Sequence, residues 1–167
     1  MIDWKYRKSL LNEYDTSESN ILSVASNQRI IHDFLYEDIV ASPKVYNARR
    51  TKASFSYSLS YQTISVKNLQ IEIDLTLEYQ GNVTVIEGKN EFPDDFAVYQ
   101  IFHPFRYFHN LKLTENIAIQ QINGCYILRK TINKQSVLRL YKYTFTDPNQ
   151  IGSIKLLKKA QYQLNKR

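Results

Sequence analysis

The stretch IEIDLTLEYQGNVTVIEGK, residues 71–89, alternates apolar and polar side chains on both sides of a Gly-Asn pair. Alternation with a period of two marks a half-buried strand, and Gly-Asn suits a two-residue hairpin turn. Ile71, Ile73, Leu75 and Leu77 are expected on one face, with Glu72, Asp74, Thr76 and Glu78 on the other. In the returning strand Val83, Val85, Glu87 and Lys89 share a face. A loop made of Gly81 and Asn82 pairs Gln80 with Val83, and by counting back pairs Asp74 with Lys89. Asp74 then also stands diagonal to Glu87. A three-residue loop would set Asp74 opposite Gly88 and break the group, so this reading depends on the turn.

Working outward, Ile30, Ile31, Phe34, Leu35 and Ile39 recur at helical spacing, and the pattern predicts a helix from Ser26 to about Ala41, closed by Ser42-Pro43. Residues 53–66 (ASFSYSLSYQTISV) read as one strand with aromatic and serine positions alternating, and Lys67-Asn68 as a turn into a strand over 69–79. Strand 83–90 follows the Gly-Asn turn. Pro93, Asp94 and Asp95 look like a helix start, leading into an aromatic helix interrupted by Pro104. Two further strands are expected near 121–130 and 136–145. Asp147-Pro148 is expected to open a last helix over 148–165, with Ile154, Leu157, Ala160 and Leu164 on one stripe. Residues 1–20 are weakly patterned and read as an arm. The outcome is one α/β domain, an α+β mixed sheet, over 1–167: helix, three-stranded meander, helix, strands, helix, with its core about 26–145.

At 167 residues the chain is long enough to bury a sizeable core. No apolar run approaches a membrane span, and the polar N-terminus lacks the apolar centre of a secretion signal. Cys125 is the only cysteine, which excludes an internal disulfide and a cysteine-rich zinc site. A cytoplasmic home is the simplest expectation. The net charge of +6 is unevenly placed. Residues 39–71 hold Lys44, Arg49, Arg50, Lys52 and Lys67 and no acid; residues 148–167 are likewise basic and acid-free. Residues 72–95 between them carry seven acids. That arrangement suits a metal site beside a phosphate backbone, although solvated surface charge gives the same pattern.

Two carboxylates converging beside a lysine are a suitable site for a hard divalent cation, Mg²⁺ or Mn²⁺, which takes oxygen ligands and borrows others from substrate phosphate. A salt-bridged surface ladder accounts for the same spacing. Asp74, a gap of twelve residues, then Glu87-Gly88-Lys89 resembles the signature of the PD-(D/E)xK, restriction-endonuclease-like nucleases. Ile73 stands where that signature often has proline. The resemblance implies a helix, a three-stranded meander, a helix and a strand, with the acid on the second strand and the ExK on the third. It also implies Mg²⁺-dependent hydrolysis of DNA phosphodiesters, with Asp74, Glu87 and the Gly88 carbonyl at the metal and Lys89 as the catalytic lysine. The compact domain looks most like a type II restriction endonuclease or its catalytic domain, acting on double-stranded DNA as a homodimer or as part of a larger nuclease. A Holliday-junction or repair nuclease would share the site, and a non-catalytic nucleic-acid-binding domain is the reading from another class.

Several positions are candidate accessories. Asp38 centres on the apolar arc of the first predicted helix, where an acid needs a partner, with Glu37 the runner-up. Gln100 follows the ExK on the next helix, where some members of that superfamily place a glutamine. Lys44, Arg49, Arg50 and Lys52 are candidate phosphate contacts, with a solvated loop as the plain alternative. His103 and His109 fit the edge of an aromatic core better than a ligand set.

Overall fold

A computed structural model of the protein describes residues 1–6, 18–47 and 49–165. Most of the N-terminal arm therefore lies outside the described residues, as do Lys166 and Arg167. The chain forms β1 (Ile2–Lys5), α1 (Glu18–Asn27), α2 (Ile30–Tyr36), β2 (Lys44–Tyr46), β3 (Arg49–Leu59), β4 (Gln62–Ile73), β5 (Leu75–Tyr79), β6 (Asn82–Asn90), α3 (Tyr99–Thr114), β7 (Gln121–Ile132), β8 (Gln135–Phe145) and β9 (Ile154–Asn165). Seven strands make one mixed sheet in the order β1-β9-β8-β7-β6-β5-β2, while β3 and β4 form a separate hairpin. The fold is mixed α+β.

Two apolar cores hold the layers together. On one face of the sheet, Ile21, Val24 and Ala25 of α1 and Ile30, Ile31 and Phe34 of α2 pack with Leu75, Leu77, Ile86, Cys125, Ile127, Leu138 and Leu140. On the other, Ile101, Phe102, Phe105 and Phe108 of α3 pack with Val83, Val85, Ile122 and Tyr126, and with Phe55, Tyr57, Ile71 and Ile73 of the hairpin. With both faces covered, β7 reads as a nearly continuous buried run, as a central strand should. β6 and β7 are parallel, so the chain must cross over between them, and α3 is that crossover. Gly124 lets the crossover sit close: a Cβ there would lie 1.9 Å from Ile101 Cγ2.

Several expected boundaries move. The first helix is two helices broken at Arg29, which has φ 63°, and the second ends at Tyr36 because Glu37 is left-handed as well. The 53–66 strand folds back on itself: Leu59 pairs with Gln62, and Ser60 (φ 56°) turns the chain. Lys67-Asn68 is an irregularity inside β4, where the Asn68 N–H bonds to Ser54 Oγ at 2.9 Å. α3 begins at Tyr99, and Pro93, Asp94 and Asp95 lie in the connection before it.

The expected C-terminal helix is the strand β9. It pairs with β8 along its length, from Phe145↔Ile154 to Ser136↔Leu164. A 3-10 turn over Ile151–Ser153 leads into it. At the far end of the chain, β1 runs parallel to the last residues of β9, from Ile2↔Tyr162 to Lys5↔Asn165.

Replacing Gly124 by Ala should overpack the contact with the buried Ile101 and cost about 1–3 kcal/mol in chemical denaturation. Ile101→Ala removes the atom in the way, so the double variant should be destabilised by less than the sum of the two single effects. Additive effects would mean that α3 does not approach the sheet at Gly124.

Candidate functional site

The hairpin of residues 71–89 differs from its expected form in two ways that together create a corner. First, the turn is Gln80-Gly81, with φ of 51° and 79°, and Tyr79 pairs with Asn82. Two successive positive φ values define the primed turn that fits the strand twist. The turn is displaced by one residue and the pairing by two, so the same faces still meet. Second, the strand breaks at Asp74. Ile71 and Ile73 enter the core beside α3, whereas Leu75 and Leu77 enter the core beside α1 and α2. In an unbroken strand these four would share a face.

The ladder between β5 and β6 ends at Leu75↔Ile86. One step beyond, Asp74 stands across from Glu87 rather than Lys89. There the Gly88 N–H donates to Asp74 Oδ2 at 3.1 Å, so a side chain replaces the missing backbone partner. Glu87 continues the face of Val83 and Val85, with Tyr126 beside it in the parallel register of β7. Lys89 lies next on that face, its Nζ 3.4 Å from Glu87 Oε1. The three residues singled out from the sequence are brought together.

The Glu87 side chain is 14% exposed. Burial, the Asp74 charge and a hydrogen bond shared with Asp74 push its carboxyl up to about 8, against the opposing pull of Lys89. A like charge held this close to a carboxyl favours its protonated form. They open onto a cleft of about 340 Å³, walled by Gln70 and Glu72 from β4 and by Tyr99, Gln100 and His103 from α3. The Tyr126 hydroxyl donates to the Ala97 carbonyl at 2.8 Å and lies 3.3 Å from Gln100 Oε1, which ties the start of α3 to the sheet. His103 Nε2 is 3.4 Å from the Tyr57 hydroxyl, and burial lowers its pKa.

Among the accessory candidates, Gln100 lines the cleft. Glu37 and Asp38 do not. Glu37 is exposed and pairs with Lys158 of β9 at 3.2 Å, and the Asp38 carboxylate accepts the Val40 N–H at 3.0 Å. The helix expected to present Asp38 has already ended, so the acid turns back on its own loop. Lys44 is exposed on β2 opposite Glu78. Arg50 pairs with Glu72 at 3.1 Å, and Lys52 is exposed opposite Gln70. Arg49 begins β3, its side chain outside the described residues.

Sequence reasoning missed Gln70, Tyr99 and Tyr126, and placed His103 only at a core edge. Tyr99, Gln100 and His103 fall at i, i+1 and i+4 on one helix, a spacing that would have grouped them. Tyr126 has no such signal, because its place beside Glu87 follows from the register of two strands separated by a crossover. Among the described residues no three His, Cys, Asp or Glu side chains converge as a metal cluster. The chain thus offers a cation two carboxylates, Asp74 and Glu87, and leaves other positions to water or to phosphate oxygens.

Residues 1–163 match the domain of unknown function DUF6997, and the chain belongs to that family. No curated protein and no solved structure matches it. Among the described residues no helix is long and apolar enough to cross a membrane.

The raised Glu87 carboxyl has a consequence for stability. The folded chain keeps a proton there that the unfolded chain releases above the ordinary carboxyl range. The group therefore contributes nothing below about pH 4.5 and costs increasing stability up to about pH 8, where the cost levels off. Glu87→Gln should accordingly raise Tm relative to wild type by an amount that grows across this window, at about 2–4 °C per kcal/mol relieved. A Tm difference that stays constant from pH 4.5 to 8 would show that Glu87 ionises like an exposed carboxyl.

Proposed function

We propose that the chain is a metal-dependent DNA endonuclease of the PD-(D/E)xK type, closest in kind to a type II restriction endonuclease. The observation that carries this reading is the convergence of Asp74, Glu87 and Lys89 on one cleft, with the two carboxyls close enough to raise the pKa of one of them. A purely structural ladder has no need to bury an acid beside another acid. The order of elements supports the reading too: two strands reach the Asp74 corner, the third carries Glu87-Gly88-Lys89, and a helix crosses over to the next strand. The sheet departs from a simple meander in that β3 and β4 leave it as a hairpin.

The residues fit a hard divalent cation. Burial and the nearby Asp74 charge favour the protonated Glu87 carboxyl, and a hard cation held between the two side chains would take the place of that proton. Mg²⁺ or Mn²⁺ bound there would polarise the scissile phosphate and lower the pKa of a bound water. Asp74 and Glu87 would hold the ion. Asp74 is oriented for this by the Gly88 N–H, which occupies one carboxylate oxygen. Lys89, held beside Glu87, places a positive charge in the cleft, where charge builds on the phosphoryl oxygens as water attacks phosphorus and the ester P–O bond breaks. Gln100, steadied by Tyr126, presents an amide to the same space. A single site cuts one strand, so cutting a duplex through calls for a second copy.

Purified protein incubated with mixed duplex DNA should cleave it with Mg²⁺ or Mn²⁺ and not with chelator. Asp74→Asn combined with Glu87→Gln should abolish cleavage with the fold retained, since the amide oxygen at 74 can still accept the Gly88 N–H. Lys89→Ala should slow single-turnover cleavage by about 10²-fold or more. Its DNA affinity, measured in Ca²⁺, should change by less than about tenfold, since it is one phosphate-binding group among several. Cleavage undiminished in the double variant rules the site out, and equal reductions of binding and cleavage would make Lys89 an anchor rather than a catalytic residue.

A further inference from the structure

The β3–β4 hairpin has two dissimilar faces. One buries Phe55, Tyr57 and Ile71 in the core beside α3. The other carries small hydroxyl side chains at its centre, with Ser56 Oγ and Ser65 Oγ 2.9 Å apart in an exposed cross-strand pair, and Ser58 paired with Thr63 beyond them. No bulky side chain stands on that stretch, so its face is approachable from outside, while the β3 edge at Ser58 is closed by the Asn149 carbonyl, which accepts the Ser58 N–H at 2.6 Å.

The charge of the hairpin is one-sided. From Arg49 to Ile71 the sequence has four cations and no acid. Lys52 and Lys67 are exposed on it. The first acid, Glu72, stands at the base, where it is paired with Arg50. At the free end Tyr61 is fully exposed. At the other end Gln70 and Glu72 of β4 form part of the cleft wall that holds Asp74 and Glu87. The ribbon thus runs directly outward from the site.

We propose that the exposed Ser/Thr face of this ribbon lies in the major groove of double-stranded DNA and positions the duplex at the cleft; the inference rests on DNA being the substrate. The dimensions agree. The 11 residues of β3 reach roughly 37 Å at ~3.4 Å per residue, close to one turn of B-DNA at about 34–36 Å. Two strands about 4.8 Å apart with small side chains enter a groove about 12 Å wide, whereas the minor groove, about 6 Å wide, is too narrow for them. Serine and threonine hydroxyls both donate and accept, so they can bond to either kind of base edge. Lys52 and Lys67 lie where phosphates bordering the groove would pass. The same arrangement would let the ribbon sense base sequence.

The test uses the full chain, Ca²⁺ in place of Mg²⁺, and a fluorescent duplex of mixed sequence. Wild type should bind the duplex. Affinity should fall about tenfold or more when cytosines carry glucosylated hydroxymethyl groups, which fill the major groove. Saturating netropsin, which fills the minor groove, should leave it unchanged. Ser56→Glu with Ser65→Glu should weaken binding by at least tenfold while Tm stays near that of wild type. Should that variant fail to fold, Lys52→Ala with Lys67→Ala replaces it and should flatten the slope of log affinity against log salt by about 0.9 for each phosphate no longer neutralised. Displacement by netropsin, an unchanged affinity in a folded Ser56→Glu/Ser65→Glu variant, an unchanged salt slope, or no duplex binding by wild type would each overturn the inference. The nuclease reading fails in a different way: the duplex is bound with the expected major-groove sensitivity, but neither Mg²⁺ nor Mn²⁺ brings about hydrolysis.

Discussion

At the point where the backbone ladder between β5 and β6 stops, the hydrogen bond from the Gly88 N–H to the Asp74 carboxylate takes its place. The corner at Asp74 depends on this substitution. A strand that simply continued would keep Ile71 and Ile73 on the same side as Leu75 and Leu77, and the hairpin could not leave the sheet. With the corner, the first pair joins one core and the second pair the other. The cleft is the space opened where β4 turns away from β6, and one carboxylate both closes the structural gap and faces that space.

The electrostatics of the site follow from packing. Gly124 allows α3 to lie close to the sheet, and the Tyr126 hydroxyl fastens the start of that helix through the Ala97 carbonyl. This layer removes water from Glu87, and Asp74 across the corner adds like charge, so the carboxyl is raised by the architecture around it. The aromatic rings of Phe55, Tyr57 and Phe102 extend the same layer beneath the hairpin. The core that supports the ribbon and the core that desolvates the acid are therefore one body.

Much of the site was legible in residues 71–89 because an error of one residue in the turn shifts pairing by two and leaves side chains on their proper faces. The shift came from Gln80, which takes a left-handed conformation that sequence gives no reason to expect. Arg29, Glu37 and Ser60 do the same, so the break in the first helix and the tip of the ribbon were hidden where no glycine or proline marks them. The C-terminal strand was misread for another reason. Ala160 and Leu164 are four residues apart, a spacing that fits a helix face and equally one face of a strand. Only β8, offering a full-length partner, decides between them, and as a strand β9 turns Tyr162 and Leu164 into the core beside α1 and α2. Asp38 was misplaced in consequence of the helix boundary, since its loop position gives it a backbone partner that a helix would not.

Cys125 sits at the middle of β7, fully buried against α1 and α2, with its thiol pushed up to about 12 by burial. It is the sole cysteine of the chain. A thiol kept protonated and out of contact with solvent reacts with nothing until the sheet and the helices over it separate. The protein therefore carries an internal chemical clock: the rate at which a thiol reagent modifies it counts openings of the central layer, free of any background from other sulfhydryl groups.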